Sequence, residues 1–307
     1  MIRQLKADLQ YAWSKKSFLW MVLLFASAAA LTFFFSYQNA DVTVQIYQRE
    51  IEYAQSHGRQ VDTEIQKEYR IGEDGTITNP LAYDHEKIGG SLYSLSPRYA
   101  FSQYCESSMI FFPILASFFG LSWVSADLKH RTLRHRVLRA GKINSFLSKQ
   151  ISGLIVLLAA FVLTVPLVFA IQAGFRSLFL QSFSLNVSDF QYTSKIAVSY
   201  WKQALLAAAV MLFYYEFGYT FGNLLRGNPI SIVVVCVYVL FFPVMFAYDI
   251  ANIFNNIARR VFEFVGAFTL EKVIDVSIPY GALELAGLFA LMILCNIFIA
   301  KKRSAYA

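Results

Sequence analysis

Apolar positions along the chain fall into long runs separated by short charged segments. Runs at about 17–37, 105–126, 146–171, 203–222, 230–248 and 281–300 each approach the twenty or so residues that carry an α-helix across a ~30 Å hydrocarbon layer. They predict an all-α integral membrane protein with six transmembrane helices. Pro113 predicts a kink in span two, Pro166 and Pro243 lie inside spans three and five, and Pro229 suits the first turn of span five. Ahead of the first run, Ile2, Leu5, Leu9 and Ala12/Trp13 recur at helical spacing, with Arg3, Gln4, Lys6, Asp8, Gln10 and Lys15 facing away. That predicts an amphipathic surface helix over 1–16 on the inner membrane face.

Two other stretches are too polar to span. Residues 38–104 place Tyr47, Ile51 and Ala54, then Val61 and Ile65, three or four apart, and Gly72–Pro80 is rich in turn formers. They predict an extracytoplasmic loop subdomain containing a helical hairpin. Residues 172–202 form a second outer loop. Residues 249–280 mix Ile250, Ile253, Phe254, Ile257 and Val261 with Arg259, Arg260 and Glu263, which predicts interfacial or re-entrant helices at the outer face.

Composition sharpens this picture. Charged residues make up 15% of the chain, against roughly 25% in soluble domains, and 57% is hydrophobic. A net charge of +7 would suit nucleic acid, but the basic residues cluster beside spans, where they orient the protein, so nucleic acid is excluded as a partner. Cys105, Cys236 and Cys295 lie in apolar runs and read as small buried hydrophobes. Ala26–Ala30 resembles a signal-peptide cleavage region, but the apolar run continues through Phe35, so the segment reads as a retained span. With both termini cytoplasmic, the inner segments hold Arg3, Lys6, Lys15, Lys16, seven bases between Lys129 and Lys149, Arg226 and Lys301–Arg303, against the acids Asp8 and Asp127. The loop 38–104 instead holds ten acids and six bases. This bias predicts a multi-pass plasma-membrane protein with both ends inside.

Catalytic motifs are missing. No GxxxxGK[ST], HExxH or CxxC occurs, and the four His are split between opposite sides of the membrane, so no metal set, cofactor or enzyme activity is expected on this chain. Glu106 and Glu284 lie near outer span ends, within reach of water. Glu216 is deeper, within Leu212–Tyr219, where a carboxylate needs a cavity, a partner helix, a donor or a proton. It either lines a translocation path with Tyr214, Tyr215 and Tyr219 or serves as a structural acceptor in the bundle.

The most charged inner segment is 127–145, between spans two and three. One reading is a positively charged loop that orients the protein and binds anionic lipid. The other is a short cytoplasmic helix over 127–139, capped by Asp127, ended by Gly141 and presenting Leu128, Leu133, Val137 and Leu138. Asp127, then Arg131-Thr132-Leu133-Arg134, then Gly141-Lys142 and Lys149 resemble the corresponding segment in permeases of type-2 ATP-binding-cassette transporters. Two positions depart from that family: Asp127 stands where Glu is common, and Arg131 where Gly is frequent. The surface helix, six spans, large first outer loop and outer helices before span six match the family's architecture.

The resemblance implies a transport subunit that hydrolyses nothing itself. ATP and Mg would bind partner cytosolic nucleotide-binding ATPase subunits, and a second permease, identical or homologous, would complete a dimer. The segment would be the coupling helix, with Asp127, Leu128, Arg131, Thr132, Leu133, Arg134, Val137 and Leu138 against the ATPase. The expected cargo is amphipathic or hydrophobic, an antimicrobial peptide or drug moved out of the cell. Two other readings stay open: a non-transporting sensor or immunity protein using loop 38–104, and an ion exporter using Glu216.

Overall fold

The computed structural model describes residues 1–72, 76–129, 137–138, 141–182, 187–190, 192–194, 196, 199–226, 229–241, 246–268, 270 and 273–302. Among these residues the chain is helical, without strands beyond an isolated bridge between Ile71 and Ile77. The elements are α1 (Ile2–Ser14), α2 (Ser17–Ser56), α3 (Val61–Ile65), α4 (Pro80–Ser94), α5 (Pro97–Glu106), a 3₁₀ turn (Ser107–Met109) and α6 (Phe111–Lys129). They continue with α7 (Lys142–Ser182), a 3₁₀ turn (Val187–Asp189), α8 (Tyr200–Leu224), α9 (Pro229–Cys236), a π turn (Val237–Phe241), α10 (Ile250–Ala258) and α11 (Ile278–Lys302).

Four of these helices, α2, α7, α8 and α11, are long and apolar enough to cross a membrane. A fifth crossing results if α5 and α6 form one span, bent by 60° at Ile110. The chain is thus an α-helical, multi-pass membrane protein. Pro113 explains the bend: it has no N–H to donate, and it sits in the first turn of α6, where none is needed. Pro166 lies inside α7 without ending it. The run expected as span five gives only the short apolar helix α9 and its π turn, and Pro243 lies outside the described residues.

Two helices overrun their expected bounds. α2 does not stop at Tyr37 but continues to Ser56, and its 40 residues make it about 60 Å long. The reason is a second apolar stripe. Ala40, Val44, Tyr47 and Ala54 pack with Leu81, Ile88 and Leu95 of the α4 region and with Phe179 and Phe190. With the end of the bundle that carries α1 labelled inner and the opposite end outer, as labels of position only, this cluster is the core of the outer subdomain, in which the far half of α2 and α4 form a hairpin. α7 likewise runs to Ser182, beyond the expected Ile171, and supplies Phe179 to the same cluster.

The amino-terminal helix also differs from expectation. Asp8, expected to face away, is buried, and accepts a 2.7 Å hydrogen bond from Ser148 Oγ on α7. Ile2 and Trp13 are instead exposed. α1 therefore docks on α7 through Asp8 and Ala12. Lys16 then turns the chain into α2 with φ of 56°, a left-handed conformation that costs an L-residue about 1–2 kcal/mol.

The bundle's centre is the α6–α8 contact, where backbones touch. A Cβ on Gly218 would lie 1.9 Å from the Ser117 carbonyl oxygen, and one on Gly120 would lie 2.2 Å from that of Tyr215. Lipid tails are as apolar as Leu, so helices in a bilayer associate through such close packing. At the outer end, Glu106 is buried, not in reach of water as expected. The bend after α5 turns it inward, where it accepts hydrogen bonds from the Tyr99 hydroxyl and, at 3.0 Å, from Phe264 N–H. Of the region expected to be interfacial helices, α10 is helical. Residues 262–268 are not, and Gln103, Glu106 and Ser36 hold that irregular segment against the bundle.

Candidate functional site

The inner ends of α6 and α7 flank the segment 130–136. Arg131, Thr132, Leu133 and Arg134 lie outside the described residues, as does the side chain of Leu128. Val137 and Leu138 are helical, Leu138 is exposed, and Gly141 N–H bonds to the Val137 carbonyl at 2.8 Å. Gly141 adopts φ of 78°, the left-handed conformation in which glycine ends helices. Asp127 does not cap a following helix. α6 continues through Lys129, which leaves Asp127 in its last turn with its carboxylate directed at α7.

There it meets Lys149. The Lys149 ammonium lies 3.3 Å from Asp127 Oδ1 and 4.4 Å from the centre of the Trp123 ring. Trp123 Nε1 donates to the Lys149 carbonyl at 2.8 Å. Both charged side chains are largely out of water, at 4% and 14% exposure. Cation–π contact and a carboxylate together offset the desolvation of a buried ammonium. An ion pair thus ties α6 to α7 at the base of the basic segment.

The next residue extends this tie. Gln150 Nε2 donates to Glu216 Oε1 on α8. The same oxygen accepts from Asn296 Nδ2 of α11 at 2.7 Å. Asn296 Nδ2 also reaches Thr220 Oγ1 at 2.8 Å, and its Oδ1 accepts from Asn223 Nδ2 at 2.9 Å. Glu216 Oε2 accepts no hydrogen bond among the described residues. The carboxyl is buried between three helices, with amide donors on one oxygen and none on the other.

Of the four residues grouped as a substrate path, Glu216, Tyr215 and Tyr219 all reach the amino-terminal part of α7. The Tyr215 and Tyr219 hydroxyls donate to the carbonyls of Gln150 and Phe146, at 3.1 and 3.3 Å. Tyr214 is turned about 100° from Tyr215 and faces elsewhere. It lines a cavity of about 430 Å³ at the outer half of the bundle, with Pro113, Tyr238, Phe254, Asn255 and Phe264 among its walls. That volume is typical of small-molecule sites, and the lining is mostly apolar with a few polar groups. Asp249 accepts from the Tyr238 hydroxyl at 2.9 Å beside it.

Sequence reading missed Gln150 and Asn296 as partners of Glu216, and Thr220 and Asn223 as partners of Asn296. The available signal was a polar side chain isolated in an apolar run, since each needs an intrabundle partner there.

The outer subdomain holds titratable groups of its own. The Tyr69 hydroxyl donates to Glu86 at 2.7 Å, and that bond pushes its pKa up to about 12. His85 packs against the rings of Tyr47 and Phe190, which also touch each other, and burial lowers its pKa below 6.5. Burial raises that of Asp84 above 3.8. Among the described residues no cluster of His, Cys, Asp or Glu is disposed to hold a metal ion. Comparison of the chain with protein-family models, with curated proteins and with solved structures found no match.

Proposed function

We propose that this chain is the membrane permease subunit of an ATP-driven exporter, of the type-2 ATP-binding-cassette kind that its basic segment resembles. The observation that carries this reading is the polar chain above that segment. A force applied to 130–136 enters α6 and α7 at Asp127 and Lys149 and passes through Gln150 and Glu216 to α8 and α11. A loop that served only to orient the protein would need no such tie.

In this reading six crossings form, α9 with its continuation supplying one, and both termini are cytoplasmic. ATP and Mg bind partner ATPase subunits, and a second permease completes the assembly. The segment 127–139, with Arg131, Thr132, Leu133 and Arg134, contacts the ATPase. The apolar cavity beside Tyr214 receives an amphipathic or hydrophobic cargo, with a peptide antibiotic or drug as the leading class.

Purification from native membranes tests the assembly, with co-isolation of a P-loop ATPase expected. The doubly substituted Arg131→Glu, Arg134→Glu chain is expected to fold and insert but to lose cargo-stimulated ATP hydrolysis. Wild-type stimulation in that variant would overturn the assignment. A second reading, ion export through Glu216, is favoured by the lone Oε2 in the bundle. Glu216→Gln separates the two: unchanged cargo transport removes Glu216 as an ion site.

A further inference from the structure

A second cavity, also of about 430 Å³, opens between the inner halves of α2 and α6, roofed by α1. Its walls change character with depth. At the inner end stand Lys15 and Lys149, whose ammonium groups lie 6.0 and 5.5 Å from the centre of the Tyr11 ring. Next come Ser17, Trp20, Ser122 and Trp123. Leu24 and Leu115 form the deep end. Ser17 to Leu24 spans about 10 Å along α2, from the level of the charges into the apolar layer. Trp20 and Leu24 are 64% and 43% exposed, so the groove is open sideways to the surrounding medium, which for these helices is the bilayer.

We propose that this groove binds one anionic phospholipid of the leaflet in which α1 lies, its phosphate at Lys15 and its acyl chain along Leu24 and Leu115. Charge selects the occupant. Lys149 is answered by Asp127, whereas Lys15 meets no carboxylate among the described residues. A phosphodiester supplies the missing anion, and the Ser17 hydroxyl and the Trp20 indole N–H are donors at headgroup and glycerol depth, while the Ser122 hydroxyl already donates to the Phe119 carbonyl. A zwitterionic lipid fills the same apolar end but brings its own cation to Lys15. The site would clamp the α1–α2 turn, where Lys16 holds its left-handed backbone, to α6. The proposal requires only a membrane-embedded chain and stands apart from the transport reading.

Trp20 reports on the groove, while Trp13, exposed on α1 and outside it, reports on the nearby lipid annulus. The intact chain is placed in phosphatidylcholine nanodiscs carrying a minor fraction of acyl-brominated phosphatidylglycerol. The emission of each residue is isolated by difference with Trp20→Phe or Trp13→Phe. Trp20 quenching is expected to saturate at a lower fraction of brominated phosphatidylglycerol than of brominated phosphatidylcholine, and Trp13 quenching to show a smaller preference. Lys15→Gln is expected to weaken the Trp20 preference about five-fold, the factor corresponding to ~1 kcal/mol for one basic side chain at a membrane surface. Leu24→Phe, which fills the deep end without adding a second reporter, is expected to abolish saturation. Equal preference at Trp13 and Trp20, or an unchanged preference in Lys15→Gln, would mean a generally basic surface and would overturn the site.

Discussion

Asp127 and Lys149 make the most demanding pair in the chain, because each is largely dry and each depends on the other. Removing one partner from a buried pair costs about 3–5 kcal/mol, whereas replacing both with apolar groups is often neutral. Asp127→Ala is therefore expected to lower thermal stability in detergent markedly, and Asp127→Ala combined with Lys149→Met to recover most of it. A double variant as unstable as the single one would show that Lys149 holds more than its ion pair. His85 makes a prediction in pH. Its pKa is depressed in the fold, so below about 6.5 the unfolded chain binds more protons and stability falls as pH falls. Asp84 acts in the opposite sense: its raised pKa favours the fold toward acid and removes stability as pH climbs from 3.8. The protection of Pro80–Ser94 against hydrogen exchange, taken relative to the intrinsic amide rate at each pH, is expected to weaken from about pH 7 to about pH 5.5. His85→Phe, which keeps a ring packed against Tyr47 and Phe190, is expected to remove that change.

At the scale of elements, the α6–α8 contact depends on the absence of side chains. Gly120 and Gly218 bring the two backbones together, and a methyl at either position meets a carbonyl oxygen that cannot swing away. Gly218→Ala is expected to cost about 1–3 kcal/mol, the range for overpacking. Gly287→Ala on α11 meets nothing within 4 Å and is expected to be neutral. Thermal melting of the two variants in one detergent checks the contrast; helix propensity alone would favour Ala at both positions, so an equal change in the two variants would mean that the close contact at Gly218 carries no cost. The same approach of backbones brings Tyr215 and Tyr219 within reach of α7 carbonyls and places Glu216 opposite Gln150 and Asn296.

At the scale of the molecule, polar links are concentrated at two levels. The inner one joins α1, α6, α7, α8 and α11 through Asp8, Asp127, Lys149, Glu216 and Asn296. The outer one, through Ser36, Gln103 and Glu106, holds residues 262–268 over the bundle. The apolar cavity beside Tyr214 lies beneath that outer layer. Transport of an apolar cargo would require the outer layer to open while the inner one holds. Asn296→Ala removes the amide that joins Glu216 to Thr220 and Asn223. If the proposed exporter reading holds, it is expected to reduce coupling between ATP hydrolysis and transport more than it reduces cargo binding. Transport and ATPase assays on the same preparation would show it, and unchanged coupling would remove the inner network from the proposed path.

Helical class, membrane residence and the placement of most long helices were legible from apolar run length, because an unsatisfied backbone in hydrocarbon costs several kcal/mol per group and leaves few alternatives. Asp127 and Lys149 were legible only as members of the basic segment, with Asp127 expected as a helix cap, and their pairing was not. Which faces those helices present was decided only by packing. Tyr214 and Tyr215 are neighbours in the chain, yet one lines a cavity and the other bonds to α7, since each residue turns the helix by about 100°. α2 crosses and then continues outward because Phe179, Phe190 and Leu81 cover its far stripe, and those residues lie tens of positions away. Asp8 points inward because Ser148 is there to receive it. Glu106 is dry because α5 bends before Pro113 and returns it to the bundle. Periodicity identifies a helix and its stripes, and the partner for each stripe exists only once distant segments have met.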